Sequence, residues 1–423
     1  MKILALVQYF DLPHEAGGSR AYQFARRWAA RGHEVVVLAG NVNYKTGRVY
    51  PCAPFRGYSV EDRPDGFRVI RLWTYAHFRG SFRKRLWFFI SYALHAAWLG
   101  LGQRKCDLVF ASSTPLTVGL PGYWLSRRFR VPFVFELRDL WPEAAVAAGV
   151  MNNPRWIART RALSRFLYTK ADHLIAVTRG IKEGIQAYGI PANKVSLIPN
   201  GVDDWMEQAT PPGDRVIPDS AGRFVCLYVG AHGLWNNLET LLAAARELRG
   251  DPRVLFVFIG DGDRREALSA EARTAGLDQV RFLGAWPKEK AFSAMLQADL
   301  GLIAASDHPH NRQTLPNKIF DYMAAGLPVL IAAGEGEMAE LLRESGGGWT
   351  SPPEDGPALA AAILRALELG REGRAAVGEA GRRHVLSHYS RTRLADEVLE
   401  TFVRLRPGAA AQSGLTMEER TGA

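Results

Sequence analysis

The chain has 423 residues, 47% of them hydrophobic and 23% charged, which is the composition of a globular protein with two domains of ordinary size. Its three scattered cysteines exclude a disulfide framework and a paired-cysteine metal site, so we expect a reducing cytoplasm, and the apolar start lacks the cleavage site of a signal peptide. The net charge of +10 suits a nucleotide diphosphate or an acidic lipid; nucleic acid is the weakest candidate, because zinc-finger spacing and RNA-binding aromatic motifs are missing.

The chain opens with the pattern of a Rossmann-like α/β domain. Residues 2–8 predict a buried strand, residues 19–31 a helix and residues 34–39 a second strand. Gly17 and Gly18 precede the helix and permit a phosphate to approach the backbone closely, although an ordinary turn also explains a pair of glycines. A phosphate-binding turn and a plain turn therefore both remain open here.

Two further segments of the first half are unusual. Residues 41–65 show no regular period, so we interpret them as a functional loop or as a disordered insertion. Between Asp65 and Asp107 the sequence has eight basic residues and no acidic one, and residues 86–101 predict a helix rich in Trp and Phe. This helix is shorter than the roughly 20 apolar residues that span a bilayer, so it lies either in a membrane interface or in the core.

A polar cluster follows the strand predicted at residues 132–137. Arg138 and Asp139 stand where this strand ends, and Glu143 lies in the loop beyond. Ligands of open α/β sheets bind beyond the carboxyl ends of the strands, which makes this cluster a candidate active-site segment. A structural ion pair between Arg138 and Asp139 is the alternative.

Residues 198–203 predict the boundary to a second domain of similar pattern. A strand at 224–230 precedes a loop that contains His232 and Asn236, and backbone N–H groups together with Asn236 can bind phosphate there. Trp286 follows a strand predicted at 280–283 and can pack in the core; stacking on a nucleotide base is what the family resemblance given below implies for it.

Residues 313–330 contain the strongest local signal. Pro316 suits the first turn of a helix that runs to residue 325, and Gly326 is a natural stop before a strand at 329–332. The N-terminus of this helix offers free N–H groups to an anion, and Lys318 lies close to it. Asp321 lies one turn further on, where it can bind a pair of hydroxyls such as those of a ribose. An ordinary helix packed between two strands is the alternative.

These stretches resemble a known family. The run from Asp321 to Val329, an acidic residue followed by Tyr-Met-Ala-Ala-Gly-Leu-Pro-Val, resembles the nucleotide-sugar segment of retaining GT-B glycosyltransferases of family 4. Pro-Asn-Lys at 316–318 and Arg-Asp-Leu-Trp-Pro at 138–142 resemble a bacterial subgroup that builds surface polysaccharides such as O-antigen, capsule and exopolysaccharide. The resemblance covers nearly the whole chain.

The resemblance implies roles for individual residues. The family places a polar residue, often His, where Asp139 stands, so Asp139 and Lys318 are the implied catalytic residues. Two Glu residues separated by seven others are typical of the family, and Gln313 and Asp321 occupy their positions here. The implied donor-binding residues are Gly17, Gly18, His232, Asn236, Trp286, Arg312, Gln313, Thr314, Leu315 and Asp321, and the implied acceptor-side residues are Arg138, Glu143 and Tyr44.

The sequence also departs from the family pattern. Many members carry an Arg and a Lys-Gly pair for the diphosphate, and this chain has Ala231 and Asn236-Asn237 at those positions. The positive charge must then come from Lys318, Arg312 or His232. These losses leave an inactive GT-B scaffold as one alternative to an enzyme.

For the whole chain, the resemblance implies an α/β fold of the GT-B type, with two Rossmann-like domains facing each other across a cleft; the alternating strand–helix pattern independently supports two such units. Residues 1–199 would form the acceptor domain, 200–388 the nucleotide-sugar domain, 389–406 a helix that crosses back to the first domain and 407–423 a disordered tail.

The implied activity is that of a retaining, metal-independent hexosyltransferase without a cofactor. It would move an N-acetylated amino sugar from a UDP-sugar to a polyprenyl-diphosphate-linked saccharide in lipopolysaccharide or related polysaccharide biosynthesis. It would be peripheral on the inner face of the plasma membrane, with an anionic membrane surface and no nucleic acid as partner. A UDP-sugar 2-epimerase on the same fold is the enzymatic alternative, although it would need neither acceptor nor membrane.

Overall fold

The computed structural model describes residues 1–13, 15, 19–43, 46–52, 57–76 and 81–406. The chain divides into two units, one formed by residues 1–11, 19–198 and the chain from 392 onward, the other by residues 12–18 and 199–391. Each unit is built on a largely parallel β-sheet. Gly17, Gly18, Tyr44 and the tail 407–423 lie outside the described residues, so their predicted roles stay predictions.

The described part of the first unit contains an eight-stranded sheet of order β3-β4-β2-β1-β5-β6-β7-β8, in which only β3 is antiparallel to its neighbour. Its strands are β1 (Lys2–Val7), β2 (Glu34–Gly40), β3 (Tyr58–Asp62), β4 (Arg68–Leu72), β5 (Leu108–Ser112), β6 (Phe133–Leu137), β7 (His173–Ala176) and β8 (Val195–Leu197). The helices between them are α1 (Arg20–Ala30), α2 (Phe82–Gly100), α3 (Gly119–Phe129), α4 (Glu143–Ala147), α5 (Pro154–Lys170) and α6 (Arg179–Ala187).

Two elements of this unit differ from the sequence prediction. The segment 41–65, expected to be irregular, contains the edge strand β3; its side chains are exposed or half-buried, so no apolar alternation marks it. Helix α2 begins at Phe82 rather than at residue 86, because the Ser81 side chain caps it by accepting a hydrogen bond from the Lys84 N–H at 3.3 Å. The basic run 83–85 is therefore part of the helix.

The described part of the second unit contains a six-stranded parallel sheet of order β11-β10-β9-β12-β13-β14. Its strands are β9 (Phe224–Val229), β10 (Val254–Ile259), β11 (Val280–Gly284), β12 (Leu300–Ala304), β13 (Val329–Ala332) and β14 (Gly348–Ser351). Its helices are α7 (Asp204–Gln208), α8 (Leu238–Glu247), α9 (Arg265–Thr274), α10 (Lys288–Met295), α11 (Pro309–Arg312), α12 (Asn317–Ala324), α13 (Glu337–Ser345), α14 (Gly356–Glu368) and α15 (Gly370–His388).

The last helix is α16 (Arg391–Leu405), and its residues from Thr392 onward belong to the first unit. Trp28 of α1 donates from its indole N–H to the Ala395 carbonyl at 2.9 Å, and its ring meets Phe402 edge-on, with centroids 5.0 Å apart. Asp396 pairs with Arg27 at 2.6 Å and with Arg31 at 2.8 Å. These contacts attach α16 to α1 on one face of the sheet.

We expect the replacement Phe402→Ala to lower the free energy of unfolding by roughly 3–5 kcal/mol, because the ring is fully buried against Trp28 and its loss leaves a cavity. The neighbouring Val403→Ala is the matched control; its side chain is 47% exposed, and the change should stay within about 0.5 kcal/mol. Urea denaturation of both variants measures the difference. Equal losses would show that α16 is not packed as described.

Candidate functional site

The sheet of the second unit has a topological switch point between β9 and β12. Strands β10 and β11 extend from β9 on one side, and β13 and β14 extend from β12 on the other. Ligands of open α/β sheets bind beyond the carboxyl ends of the strands at such a point. The segments 230–237 and 305–316 leave the sheet at this edge, and both contain residues predicted to bind the donor.

Lys318 lies at this edge and is held by neutral groups. Its ammonium donates to the Tyr228 hydroxyl at 2.9 Å and to Asn236 Oδ1 at 2.8 Å, and it lies 4.3 Å from the centroid of the Tyr228 ring. A Cβ atom at Gly230 would come within 3.0 Å of the ammonium, so glycine makes room for it. In the described part of the chain no carboxylate pairs with Lys318. Desolvation of the ammonium lowers the pKa of Lys318 to about 7.

Helix α12 begins one residue later than predicted. Pro316 has an extended ψ of 150° and precedes the helix instead of occupying its first turn, and among the described residues no side-chain cap is formed at this N-terminus. At the other end, Gly326 adopts φ +68° and its N–H bonds to the Met323 carbonyl, as expected for a C-terminal stop. The N-terminus of α12 thus leaves N–H groups without a capping side chain close to Lys318, which is the arrangement that binds anions.

Asp321 belongs to a group of buried charges beneath α12. Lys288 lies 3.8 Å from Asp321 and 2.7 Å from Asp203, and Arg391 also pairs with Asp203. These two cations hold the pKa of Asp203 well below its usual range although burial opposes them, whereas burial raises the pKa of Asp321. Asp321 Oδ1, the atom that Lys288 approaches, makes no hydrogen bond within the described residues, and its predicted bond to a ribose stays a prediction.

His232 is fully buried between aromatic rings. Its ring meets Phe282 edge-on at 5.8 Å and Phe258 at 6.4 Å. Burial lowers the pKa of His232 to about 4, which favours the neutral ring at pH 7 in the free protein; its predicted part in donor binding stays a prediction. Neither ring nitrogen has a hydrogen-bond partner in the described residues.

The predicted donor-binding residues between β12 and α12 differ in their surroundings, and their roles stay predictions. Arg312 belongs to the short helix α11 and pairs with Asp307 at 3.1 Å. Gln313 is exposed, the Thr314 hydroxyl donates to a carbonyl one turn back, and Leu315 is buried. Lys318 is therefore the better placed of the two predicted cations of this segment.

Trp286 follows β11, as predicted. The side chain is half-buried against the hydrophobic core of the second unit, and the Lys290 ammonium lies 4.0 Å from its ring centroid. These contacts agree with the alternative in which Trp286 packs in the core. Stacking of its ring on a nucleotide base stays a prediction.

In the first unit, Asp139 follows β6 and accepts a hydrogen bond from the Thr114 hydroxyl at 2.6 Å. The alternative of an ion pair with Arg138 is not formed in the described residues; the Arg138 backbone N–H instead donates to the Ser113 hydroxyl at 3.1 Å. Glu143 begins α4 and pairs with Arg161 at 3.2 Å, so its carboxylate already has a structural partner.

A buried ion pair behind this cluster was missed by the sequence analysis. Arg20 and Glu136 are 2.9 Å apart, with side chains only 2% and 3% exposed. Arg20 also donates to the Ile198 carbonyl at 2.8 Å, and Glu136 accepts a hydrogen bond from Ser112. A charged residue inside the apolar strand at 133–137 was the available signal, because a buried carboxylate needs a partner. The pair fixes the ends of β5 and β6, next to Asp139.

Within the described residues, no three His, Cys, Asp or Glu side chains are grouped so as to hold a metal ion. None of the described helices has both the length and the hydropathy that crossing a bilayer requires.

Comparison with known proteins follows the two units. Residues 16–201 match the family described as glycosyl transferase 4-like domain, and residues 223–369 match glycosyl transferases group 1. The probable glycosyltransferase WbjE of Pseudomonas aeruginosa is 26% identical over 271 residues, which are 63% of this chain and 67% of that protein. The amylovoran biosynthesis glycosyltransferase AmsK of Erwinia amylovora is 29% identical over 209 residues, 47% of this chain; the match spans only 48% of AmsK.

Solved structures share the fold. The Anabaena protein HepE, crystallised with UDP, superposes with a TM-score of 0.71 at 18% identity, over 96% of this chain and all of HepE. Sucrose-phosphate synthase from Thermosynechococcus elongatus gives a TM-score of 0.73 at 21% identity, over 96% of this chain and 99% of the synthase. These likenesses confirm the predicted GT-B fold.

We expect Lys318→Met to raise the melting temperature at pH 6.5 by more than at pH 10. The native state disfavours the lysine proton, so the penalty is full below pH 7 and vanishes as the pH approaches the ordinary value of 10.5. Removing the ammonium removes the penalty. Thermal melts at both pH values measure it, with the exposed Lys105→Met as control. A variant that is destabilised equally at both pH values would contradict this.

Proposed function

Because this chain belongs to the GT-B glycosyltransferases, we propose that it is a retaining enzyme that moves a sugar from a UDP-sugar to a lipid-linked saccharide in cell-surface polysaccharide biosynthesis. The observation that carries this proposal is the ammonium of Lys318 at the N-terminus of α12, beside the switch point of the sheet. The structure of HepE with UDP supports a uridine donor, and the name of AmsK supports polysaccharide biosynthesis. An N-acetylated amino sugar is the transferred group that the family resemblance implies.

In the proposed reaction, the bond between the sugar carbon and the UDP diphosphate breaks, and the sugar becomes oxocarbenium-like. Lys318 and N–H groups of α12 would stabilise the negative charge that develops on the diphosphate. Lys318 has a third N–H beyond its bonds to Tyr228 and Asn236, which it can donate to a phosphate oxygen. A bound dianion would raise the pKa of Lys318 and return the ammonium to its charged form. Because the chain supplies this cation itself, we propose that turnover needs no divalent metal and survives a chelator.

Asp321 and Asp139 complete the proposal. Asp321 Oδ1, which Lys288 approaches only to 3.8 Å, would accept a hydrogen bond from a ribose hydroxyl of the donor. Asp139, oriented by Thr114, would orient the acceptor hydroxyl or stabilise the sugar cation. The acceptor would be a polyprenyl-diphosphate-linked saccharide, which requires the enzyme to work at the inner face of the plasma membrane as a peripheral protein.

We expect UDP release from a panel of UDP-sugars to depend on a lipid-linked acceptor, and Lys318→Ala to lower kcat by roughly two to three orders of magnitude, as for loss of one charge-stabilising donor. Arg383→Ala, an exposed change elsewhere in the second unit, is the control. Conversion of the UDP-sugar without an acceptor would indicate an epimerase, and no turnover of any substrate would favour the inactive scaffold. Near-native turnover of Lys318→Ala would contradict the assigned role of this lysine.

A further inference from the structure

Helices α2, α3 and α5 lie side by side on one face of the first unit's sheet. Each connects two parallel strands in the same direction across the sheet, from β4 to β5, from β5 to β6 and from β6 to β7, so right-handed crossovers place them together. Leu125 of α3 packs where a side chain at Gly100 of α2 would stand. The ring of Tyr123 in α3 meets Phe166 of α5 edge-on at 5.1 Å. Helices α1 and α16 cover the opposite face.

Helix α2 uses both of its sides for apolar contacts. Phe88, Tyr92 and its neighbours are buried in the unit, as the core alternative predicted. On the other side Trp87 is 60%, Leu94 63% and Trp98 73% exposed, and their spacing of seven and four residues forms one stripe along the helix. The buried side of α2 agrees with the core interpretation, and the exposed stripe leaves the membrane-interface interpretation a prediction.

The neighbouring helices continue this exposed apolar surface. Leu120 and Trp124 stand one turn apart on α3 and are 39% and 45% exposed. Trp156 and Phe166 of α5 are 41% and 38% exposed. Every one of the three helices thus presents a tryptophan to solvent, and large aromatic residues in such numbers on one face indicate an interaction surface.

The charged residues within these three helices all have one sign. Helices α2, α3 and α5 contain three, two and five basic residues, respectively, and no acidic residue. The ion pairs described for these helices use acidic residues from outside them: Glu143 pairs with Arg161, and Asp172 pairs with Arg127 at 3.7 Å. The exposed basic side chains include Arg83, Lys84, Arg128, Arg155, Arg159, Arg165 and Lys170.

We propose that the three-helix face formed by α2, α3 and α5 docks the protein on an anionic lipid bilayer. Tryptophan side chains have an apolar body and a polar N–H and favour the level of the lipid headgroups, where Arg and Lys contact phosphates. A second copy of the chain fits less well, because pairing this face with itself would bring like charges together. The first unit would then rest on the membrane with α1 and α16 facing away. This docking does not depend on the proposed reaction, and it places the enzyme where a lipid-linked acceptor would be.

Sedimentation with vesicles tests the proposal. The full chain should bind vesicles that contain phosphatidylglycerol, bind less as salt is raised, and leave pure phosphatidylcholine vesicles largely unbound. The decisive variants leave α2 intact. Trp124→Ser with Trp156→Ser should weaken partition about tenfold or more, and Arg128→Ser with Arg159→Ser about fivefold per charge. Val403→Ser with Arg404→Ser on α16, an exposed apolar and basic pair on the opposite face, should bind like the wild type.

Three outcomes would overturn the proposal. If the wild type stays in the supernatant with anionic vesicles at low salt, the face does not dock on lipid; transfer to a detergent-dispersed acceptor would then leave the proposed function standing. If Trp87→Ser with Trp98→Ser abolishes binding while the α3 and α5 variants bind normally, α2 acts alone. If sedimentation velocity shows a dimer that the α3 and α5 variants disrupt while lipid binding is unchanged, the face is a dimer interface. Circular dichroism melts check that each variant remains folded.

Discussion

The candidate donor site depends on an ammonium group that is held away from water without a carboxylate beside it in the described residues. Tyr228 and Asn236 give Lys318 two neutral acceptors, and desolvation brings its pKa to about 7. In the same unit, the buried cations Lys288 and Arg391 lie beside two carboxylates beneath α12, those of Asp203 and Asp321. The ammonium of Lys318 lacks a counter-charge in the described residues, whereas the charges beneath α12 are already paired. A bound anion would therefore be stabilised most at Lys318.

The local sequence predicted the main strands and helices, but it did not predict which distant side chains contact the candidate site residues. Apolar runs and glycine stops predicted the strands and α12, because burial on both sides of a parallel sheet leaves a continuous apolar run. The edge strand β3 lacks that signal because none of its residues is buried. The aromatic rings that make His232 neutral come from β10 and β11, so no local motif could reveal its state. Likewise, the Thr114 hydroxyl that orients Asp139 stands 25 residues earlier in the chain.

The two faces of the first unit's sheet differ: helices packed on one face bury their aromatic residues, and helices on the other face expose them. On one face, Trp28 and Phe402 attach α16 to α1 and are buried. On the other face, tryptophans of α2, α3 and α5 remain exposed among basic residues. At the carboxyl edge between the faces, the buried pair of Arg20 and Glu136 holds the strand ends that carry Asp139. One sheet therefore gives fixed positions both to a candidate active-site carboxylate and to a basic, aromatic surface.

The most direct test of the account is proton uptake on donor binding. Isothermal titration calorimetry of a UDP-sugar at pH 8, in buffers of different ionisation enthalpy, counts the protons taken up per site. With a pKa of about 7 in the free protein, Lys318 is mostly neutral at pH 8, so binding of the diphosphate should take up nearly one proton. Lys318→Met should bind more weakly and take up none. Wild-type binding without proton uptake, or equal uptake by Lys318→Met, would contradict the central role of this lysine.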